Sequence, residues 1–217
     1  MDFETARFNM VEQQIRPWEV LDQNVLNACR AVPREAFAPK QYQNLAFTDT
    51  MVDIGHGQFM MAPKIEARLL QALDVQASDR ILEIGTGTGY FAALLATLGA
   101  QVTSVDLFDD FTERAAENLR QNGITNVELH VGDALDGWRT ATPYDVIAVT
   151  GSSPARRQAI EEQLSIGGRM FIIVGMAPVM EAALITRVDK DTWGEEILFE
   201  TELAPLIGAE TGPEFRF

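Results

Sequence analysis

The sequence has little of two reactive residue types: it contains one cysteine, Cys29, and two histidines, His56 and His130. A single cysteine excludes an intramolecular disulfide, which is typical of proteins in a reducing compartment. No apolar run approaches the roughly 18 residues of a transmembrane helix, and the acidic N-terminus lacks the basic and apolar segments of a secretory signal. These absences predict a cytoplasmic protein that does not associate with membranes.

Positive charge is also scarce. The 217 residues include 17 Lys and Arg against 32 Asp and Glu, which gives a formal net charge of −15, and the basic residues are scattered. Proteins that bind nucleic acids need a basic surface that neutralises phosphates, so we expect no nucleic-acid partner. No group of cysteine, histidine and acidic residues has the spacing of metal ligands, so we also expect no metal.

From residue 80 onward, short apolar runs alternate with helical patterns, as in an α/β protein. The runs predict strands at 80–84, 101–106, 126–131, 145–149 and 169–174, and the helical patterns lie at 88–98, 110–122 and 155–164. Two alternating segments, 181–189 and 195–204, predict an antiparallel hairpin at the sheet edge. The predicted fold is a doubly wound, mostly parallel sheet with helices on both faces.

The first third of the chain predicts a helical extension. Apolar spacing indicates helices at 3–16, at 25–32 with Asp22 as the N-cap, and at 63–73. The stretch from Pro33 to Pro63 has little periodicity, and long irregular segments of compact enzymes are usually functional. We expect a single domain over 1–217, in which an extension and substrate loop at 1–79 precedes a core at 80–217.

The most informative stretch joins the first predicted strand of the core to its helix. Gly85, Gly87 and Gly89 follow the strand as G-x-G-x-G, which differs from the G-x-G-x-x-G of dinucleotide sites. Glu83 precedes this turn, where a carboxylate would repel a pyrophosphate and can attract the amino group of S-adenosyl-L-methionine (SAM). Asp106 ends the next strand, about 20 residues after the first glycine, where an acid can accept hydrogen bonds from a ribose. The pattern predicts a SAM-dependent methyltransferase.

Several motifs outside this turn are more specific. They are M-V-E-Q-Q-I-R at 10–16, V-P-R-E-A-F-A-P at 32–39, I-G-H-G-Q at 54–58, V-G-D-A at 131–134 and A-P-L at 204–206. Together they resemble the motifs of the protein-L-isoaspartate (D-aspartate) O-methyltransferases, over nearly the whole chain. The resemblance implies a Rossmann-like fold and methylation of L-isoaspartyl carboxylates in damaged proteins, a repair reaction with protein or peptide substrates. For the oligomeric state, our working expectation is a monomer or weak dimer.

The resemblance also implies site residues. It places S-adenosyl-L-methionine, and the product S-adenosyl-L-homocysteine, against Glu83, Gly85, Thr86, Gly87, Gly89, Asp106, Leu107, Asp133 and Ala134. Asp133 corresponds to the acid that meets the adenine amino group, although it can also be a turn residue that ends a strand. On the substrate side the resemblance implies Asp49, His56, Gln58 and Met61. His56 either positions substrate or caps a turn, whereas His130 in a predicted strand is structural.

The implied chemistry needs no general base, because a carboxylate with a pKa near 4 is already ionised at pH 7. Catalysis then depends on in-line alignment of the carboxylate oxygen with the methyl group and on exclusion of water. This suits a chain with few histidines.

The loop after Gln58 departs from the family pattern. The family usually reads G-Q-T-I-S-x-P, whereas this chain reads Gln58-Phe59-Met60-Met61-Ala62-Pro63, so that Met61 occupies the position of the serine. A thioether cannot donate a hydrogen bond. Three interpretations remain: a working enzyme whose backbone amides hold the carboxylate, a paralogous methyltransferase with a different carboxylate or oxygen substrate, or a SAM-binding protein with little activity.

Overall fold

A computed structural model describes residues 2–99 and 101–209 of the chain. Its strands are β1 Val52–Gly55, β2 Gln58–Met60, β3 Arg80–Ile84, β4 Gln101–Asp106, β5 Val127–Val131, β6 Tyr144–Ser153, β7 Leu164–Met176, β8 Val179–Asp189 and β9 Thr192–Glu200. Its α-helices are α1 Phe3–Met10, α2 Gln23–Ala31, α3 Arg34–Phe37, α4 Pro63–Leu73, α5 Tyr90–Leu98, α6 Asp109–Gln121 and α7 Gln158–Glu161. None of these helices combines the length and apolarity needed to cross a membrane.

The expected α/β fold is confirmed. Seven strands form one sheet in the order β5-β4-β3-β6-β7-β8-β9, in which the first five are parallel and β8 and β9 are antiparallel. The chain reverses direction across the sheet between β3 and β6, since β4 and β5 lie on one side of β3 and the later strands on the other. Ligands of open α/β sheets bind at such a switch point, outside the carboxyl ends of the strands.

The central strands are buried on both faces, which explains their continuous apolar runs. In β3, Ile81 belongs to the core that contains α2, α4, α5 and α6, whereas Leu82 and Ile84 belong to the core on the α7 side. The first of these cores also includes residues of the N-terminal extension, such as Met10 and Leu26. This shared core supports our proposal that the chain is a single domain.

The helices of the N-terminal extension match those predicted from the sequence, with small changes in their bounds. The helix expected at 3–16 consists of α1, a wider π turn over Val11–Ile15 and a 3-10 turn over Arg16–Trp18. Asp22 caps α2, where its side chain accepts hydrogen bonds from the backbone N–H groups of Asn24 and Val25. A carboxylate at this position satisfies N–H groups that the helix itself leaves unpaired.

Several predicted boundaries in the core were wrong, including that of the last strand, which was expected at 195–204 and is Thr192–Glu200. The helix expected at 155–164 shortens to α7, Gln158–Glu161, because β7 already begins at Leu164 and pairs there with Tyr144 of β6. β6 and β7 are correspondingly longer than predicted. Pairing with a neighbouring strand outweighs the local helical preference of this segment.

The region expected to be irregular contains a small β-hairpin, β1–β2. Val52 pairs with Met60 and Asp53 with Phe59. Gly55, His56 and Gly57 form its turn, with φ angles of 104°, 54° and 69°. Two glycines make this left-handed turn accessible, while His56 is a residue type that tolerates it.

Candidate active site

The glycine turn between β3 and α5 is left-handed at each of its three glycines, with φ of 101° at Gly85, 52° at Gly87 and 84° at Gly89. A Cβ on Gly85 would lie 2.3 Å from the Thr150 hydroxyl, and one on Gly89 would lie 3.0 Å from Ala115 of α6. The sequence therefore places glycine where both the backbone conformation and the neighbouring atoms require it.

Asp106, at the end of β4, lies beside this turn. Its carboxylate accepts hydrogen bonds from the Gly87 N–H at 2.8 Å and the Phe108 N–H at 3.0 Å. Burial raises the pKa of Asp106, and these backbone N–H groups oppose that rise. Each carboxylate oxygen can accept a further hydrogen bond, so Asp106 can still bind a hydroxyl group of a ligand.

A cavity opens at the carboxyl ends of β3, β4 and β5, and we call it the glycine-turn cavity. Its lining includes seven of the residues expected from the sequence, namely Gln58, Gly85, Gly87, Asp106, Leu107, Asp133 and Ala134. It also includes residues that sequence reasoning missed, which are Ile54, Phe59, Ile84, Val105, Phe108, Phe111, Gly132, Leu135, Thr150, Leu206 and Ile207. Most of these are apolar. Ile54, Gly132 and Leu206 lie within motifs noted in the sequence, but a motif alone does not show which of its side chains line the cavity.

Three of the expected cofactor residues do not line this cavity. Gly89 packs against α6, and Thr86 instead hydrogen-bonds through its hydroxyl to Ser104 at 2.6 Å. Glu83 is fully buried and reaches the turn only through Ser104, which donates to one of its oxygens. The other Glu83 oxygen has no partner among the described residues. Burial raises the pKa of Glu83 to about 8.

A second cavity adjoins the first, and we call it the hairpin cavity. It is lined by Ile54, Phe59, Met60, Met61, Glu66, Gly85, Thr86, Gly87, Thr88, Tyr90, Phe91 and Thr150. Ile54, Phe59 and the glycine turn therefore border both cavities. Met61 is 4% exposed, and its side chain replaces the hydroxyl of the family serine with an apolar wall.

Beneath Met61 lies a buried ion pair that the sequence did not reveal. Arg34 contacts Glu66 directly and also donates to the carbonyl oxygens of Met61, at 2.6 Å, and Ala46, at 2.8 Å. Burial raises the pKa of Glu66 to about 7, and the Arg34 charge opposes this rise. The available signals were the V-P-R-E motif and a charge on the apolar side of α4. The pair holds the segment after the hairpin in place.

His56 lines neither cavity. Its ring stacks on Phe108 with the centroids 4.0 Å apart, and its Nε2 lies 3.1 Å from both carboxylate oxygens of Asp110. Arg114 of α6 also donates to the Ile54 carbonyl at 3.0 Å. Of the two roles left open for His56, the geometry favours the structural one, in which it fixes the hairpin turn against the start of α6.

Asp49 also lies outside both cavities. Its carboxylate pairs with Lys64 at 2.6 Å, and Lys64 in turn lies 4.1 Å from the centre of the Trp18 ring. The groove that Asp49 lines contains Met51, Glu202 and Leu203 instead of the glycine turn. Among the four expected substrate-side residues, the structure therefore brings Gln58 and Met61 to the cavities and leaves Asp49 and His56 outside.

Comparison with known proteins extends these observations. The family model for protein-L-isoaspartate(D-aspartate) O-methyltransferase matches residues 6–210. Protein-L-isoaspartate O-methyltransferase 1 of Rhodopseudomonas palustris (strain HaA2) is 40% identical over 209 residues, which cover 96% of this chain and 85% of that protein. The protein-L-isoaspartate O-methyltransferase of Methanoculleus marisnigri is 45% identical over 169 residues, with 78% and 77% of the two chains covered.

Solved structures show the same relationship. One protein-L-isoaspartate O-methyltransferase superposes with a TM-score of 0.78 at 26% identity, over 92% of this chain and 65% of that longer chain. A Plasmodium falciparum protein, described as a putative protein-L-isoaspartate O-methyltransferase in complex with S-adenosyl-L-homocysteine, has a TM-score of 0.77 at 18% identity and shows the fold alone, with 95% and 98% of the chains covered. Since the family model and the relatives both extend over most of the sequence, this chain belongs to the protein-L-isoaspartate (D-aspartate) O-methyltransferase family.

Proposed function

We propose that this protein transfers the methyl group of SAM to the carboxylate of L-isoaspartyl residues in proteins, the first step of their repair. The observation that carries the proposal is the pair of adjoining cavities at the switch point of the sheet, in a chain of this family. One cavity contains the glycine turn and Asp106, and the other opens beside it at the hairpin. Two bound molecules can therefore meet where the cavities share Phe59 and Gly87.

The residues of the glycine-turn cavity fit SAM. Gly85 and Gly87 leave the backbone bare along one wall of the cavity, where an added Cβ would meet Thr150 and Ile54, respectively. Asp106 retains acceptor capacity for a ribose diol, and its charge disfavours the 2′-phosphate of NADP. Asp133 and Ala134 line the cavity near Leu135, where an adenine ring would find both a carboxylate and apolar contacts.

Bound SAM supplies a methyl group activated by its sulfonium centre, and the protein positions the acceptor. The acceptor carboxylate is ionised at pH 7, so no side chain has to remove a proton. Phe59, Met60 and Met61 give the hairpin cavity apolar walls that exclude water from the reacting oxygen. The ion pair of Arg34 with Glu66 holds these walls in position through the Met61 carbonyl.

One observation favours a second candidate, methylation of a different carboxylate or oxygen nucleophile. Glu66 lines the hairpin cavity, and Met61 offers no hydrogen bond where the family has a serine. A carboxylate that enters this cavity loses hydration, and these two residues do not compensate for the loss. A substrate with an apolar arm would suit such walls better than isoaspartate alone.

The test is methyl-ester formation on an isoaspartyl peptide, assayed beside the same peptide with a normal aspartyl residue. We expect esterification of the isoaspartyl peptide alone, with S-adenosyl-L-homocysteine released in equal amount. Binding of S-adenosyl-L-homocysteine by calorimetry serves as the control for a folded, competent protein. If that binding is intact and the isoaspartyl peptide remains unmethylated, the second candidate replaces the first.

We also propose that the protein acts in the cytoplasm, as a monomer or weak dimer that binds proteins rather than nucleic acids. Its net charge of −15 supports the last point. Cys29 is buried, and burial raises the pKa of its thiol to about 12. The thiol therefore stays protonated and unreactive at neutral pH. Sedimentation at several protein concentrations would test the oligomeric state.

A further inference from the structure

A third cavity lies beside the two already described, and we call it the methionine groove. Its lining includes Met51, Phe59, Met176, Met180, Leu203 and Pro205, and its volume is about 410 Å³. Phe59 also lines the glycine-turn cavity and the hairpin cavity, so all three spaces adjoin at this side chain. A polypeptide that places one residue in the hairpin cavity can therefore place a neighbouring residue in the groove.

The hairpin cavity itself is small. Its volume is about 40 Å³, and since one water molecule needs roughly 10–15 Å³ of such space, it has room for about three water molecules. That is enough for a carboxyl group but not for the residues on either side of it. The rest of a substrate chain must lie outside, and the adjoining methionine groove has roughly ten times the volume.

Methionines are concentrated around these spaces. The chain contains eight methionines, and five of them line the hairpin cavity or the groove, namely Met51, Met60, Met61, Met176 and Met180. Met176 and Met51 are 64% and 42% exposed. The unbranched thioether adapts to partners of different shape, which is why methionine is common at surfaces that bind many partners. The groove therefore suits apolar side chains of varied shape.

The methionine groove carries little charge. Within residues 2–99 and 101–209, Glu202 is the only ionisable residue of its lining. The groove that Asp49 lines is different, because Lys64, Glu200 and Glu202 line it as well. An acidic side chain in the methionine groove would lose hydration and would be repelled by Glu202. The occupant that fits is therefore an uncharged, apolar group.

Backbone pairing holds the walls of the groove. Gly175 pairs with Met180 at the turn between β7 and β8. The segment after β9 forms another wall, where the Ser152 N–H donates to the Ala204 carbonyl oxygen at 3.0 Å and the Ser152 hydroxyl donates to the Leu203 carbonyl oxygen at 2.9 Å. Because the groove is already formed, an apolar group can bind there with little loss of conformational entropy in the protein.

We propose that the methionine groove binds an apolar side chain next to the isoaspartyl residue, so that this protein prefers isoaspartyl sites within apolar segments. The inference rests on the proposed function. The preference belongs to this chain, because Phe59 occupies the position where the family usually has threonine. Since apolar side chains are mostly buried in folded proteins, the partner that fits is a locally unfolded segment of a substrate protein.

The test is a series of isoaspartyl peptides that carry alanine, leucine or glutamate beside the isoaspartyl residue, with each side varied in turn. Affinity for the complex with S-adenosyl-L-homocysteine is measured by calorimetry, and kcat and KM are measured with SAM. We expect leucine on one side to raise the affinity and lower KM about tenfold relative to alanine, as partial burial of its side chain allows, with kcat unchanged. Glutamate at that position should bind more weakly than alanine.

The double variant Met51→Ser with Met176→Ser removes apolar surface from two exposed positions of the groove. It should weaken binding of the leucine peptide about tenfold and binding of the alanine peptide much less. Met51→Leu with Met176→Leu should retain the preference for leucine, and unchanged affinity for S-adenosyl-L-homocysteine shows that each variant is folded. Val188→Ser is the matched control, because this valine is also exposed but lines none of the three spaces.

The outcomes separate this proposal from the proposed function. Equal affinities and KM values for the leucine and alanine peptides, in a protein that methylates them, overturn the groove and leave the proposed function intact, as does a leucine preference that persists in the double variant. A leucine preference that the double variant removes, without methylation of any peptide, supports the groove and overturns the proposed function. Absence of both binding and methylation overturns both. A dimer that dissociates in the double variant, seen by sedimentation, would assign the groove to a second copy of the chain and overturn the proposal.

Discussion

The two cavities of the active site are built in different ways. The glycine-turn cavity depends on backbone conformation at the ends of neighbouring strands, where Gly85, Gly87 and Asp106 follow β3 and β4. The hairpin cavity depends on side chains that come from distant segments, such as Met61, Glu66 and Tyr90. A site made by local backbone is visible as a motif, whereas a site made by packed side chains is not.

This difference in construction also predicts how each cavity responds to amino-acid substitutions. A left-handed backbone position accepts few residues other than glycine, so substitution there damages binding at once. A wall made of methionines is adaptable, because the unbranched thioether fills irregular space in several conformations. The four experiments below test this contrast, from the largest expected effect to the smallest.

Gly87→Val should abolish binding to the glycine-turn cavity. Gly87 has a φ of 52°, and a Cβ there would approach Ile54 Cδ1 to 3.1 Å across the space between the turn and the hairpin. We expect the affinity for S-adenosyl-L-homocysteine, measured by calorimetry, to fall more than about 100-fold, or roughly 2.7 kcal/mol.

Gly123→Val is the control for backbone strain. Gly123 also has a left-handed φ, 71°, but a Cβ there would meet no atom within 4 Å. It should therefore lower the melting temperature without lowering the affinity. Binding of normal strength in Gly87→Val would show that the ligand does not use this turn.

Met61→Ser, combined with Phe59→Thr, should make the hairpin cavity a better binding site for the isoaspartyl carboxylate. The new hydroxyls can donate to a carboxylate where the methionine cannot. We expect isoaspartyl methylation to rise at least tenfold, on the order of 1.4 kcal/mol of transition-state stabilisation.

Val188→Ser provides the control, since this valine is exposed and lies outside both cavities. Its kcat/KM should equal that of the unmodified protein. An efficient unmodified enzyme that gains nothing from Met61→Ser would identify Met61 as neutral, with the carboxylate held by other groups.

His56→Asn should have a moderate effect, because His56 fixes the hairpin turn against α6. Asparagine tolerates the φ of 54° but removes both the stack on Phe108 and the pair with Asp110. The side chains of His56 and Asp110 are 42% and 55% exposed, so their pairing is worth little. We expect the combined loss of this pair and of the ring stack to lower the affinity for S-adenosyl-L-homocysteine roughly two- to fivefold.

His130→Asn is the matched control for this variant. His130 has similar partners, with Glu128 at 3.0 Å and the Trp138 ring centroid at 5.4 Å, but it belongs to β5 instead of the hairpin. The affinity of His130→Asn should not change. Equal losses in the two variants would argue against a specific role of the hairpin turn.

Glu83→Gln should change ligand affinity least, less than about twofold, because Glu83 does not line either cavity. It should instead change the pH dependence of stability. Burial raises the pKa of Glu83 from 4.5 in the unfolded reference to about 8 in the folded protein. The folded state therefore favours the protonated Glu83 carboxyl. As a result, the free energy of unfolding falls as the pH rises from about 4.5 to about 8.

The free energy of unfolding in urea, measured at pH 5, 7 and 9, tests this effect. The unmodified protein should lose more stability over this interval than Glu83→Gln, and the exposed control Glu196→Gln should behave like the unmodified protein. A tenfold loss of S-adenosyl-L-homocysteine affinity in Glu83→Gln would mean that the carboxylate does act on the cofactor amino group, as the sequence pattern suggested.

The sequence predicted the features that depend on local rules. The strands at 80–84 and 101–106, the glycine turn and the Asp22 cap follow from apolar runs, backbone freedom and capping chemistry within a few residues of one another. The motif resemblance likewise named the family before any contact was known. These predictions were confirmed because each is stabilised mainly by interactions between near neighbours or by a regular sheet.

Only the tertiary structure decided the features that join distant segments. The β1–β2 hairpin, the pairing of Arg34 with Glu66 and the orientation of His56 toward Asp110 each depend on where the chain returns in space. Side-chain contacts across long sequence separations leave no periodic pattern in the sequence. The residues that line the hairpin cavity, and therefore its chemistry, could be identified only from the tertiary structure.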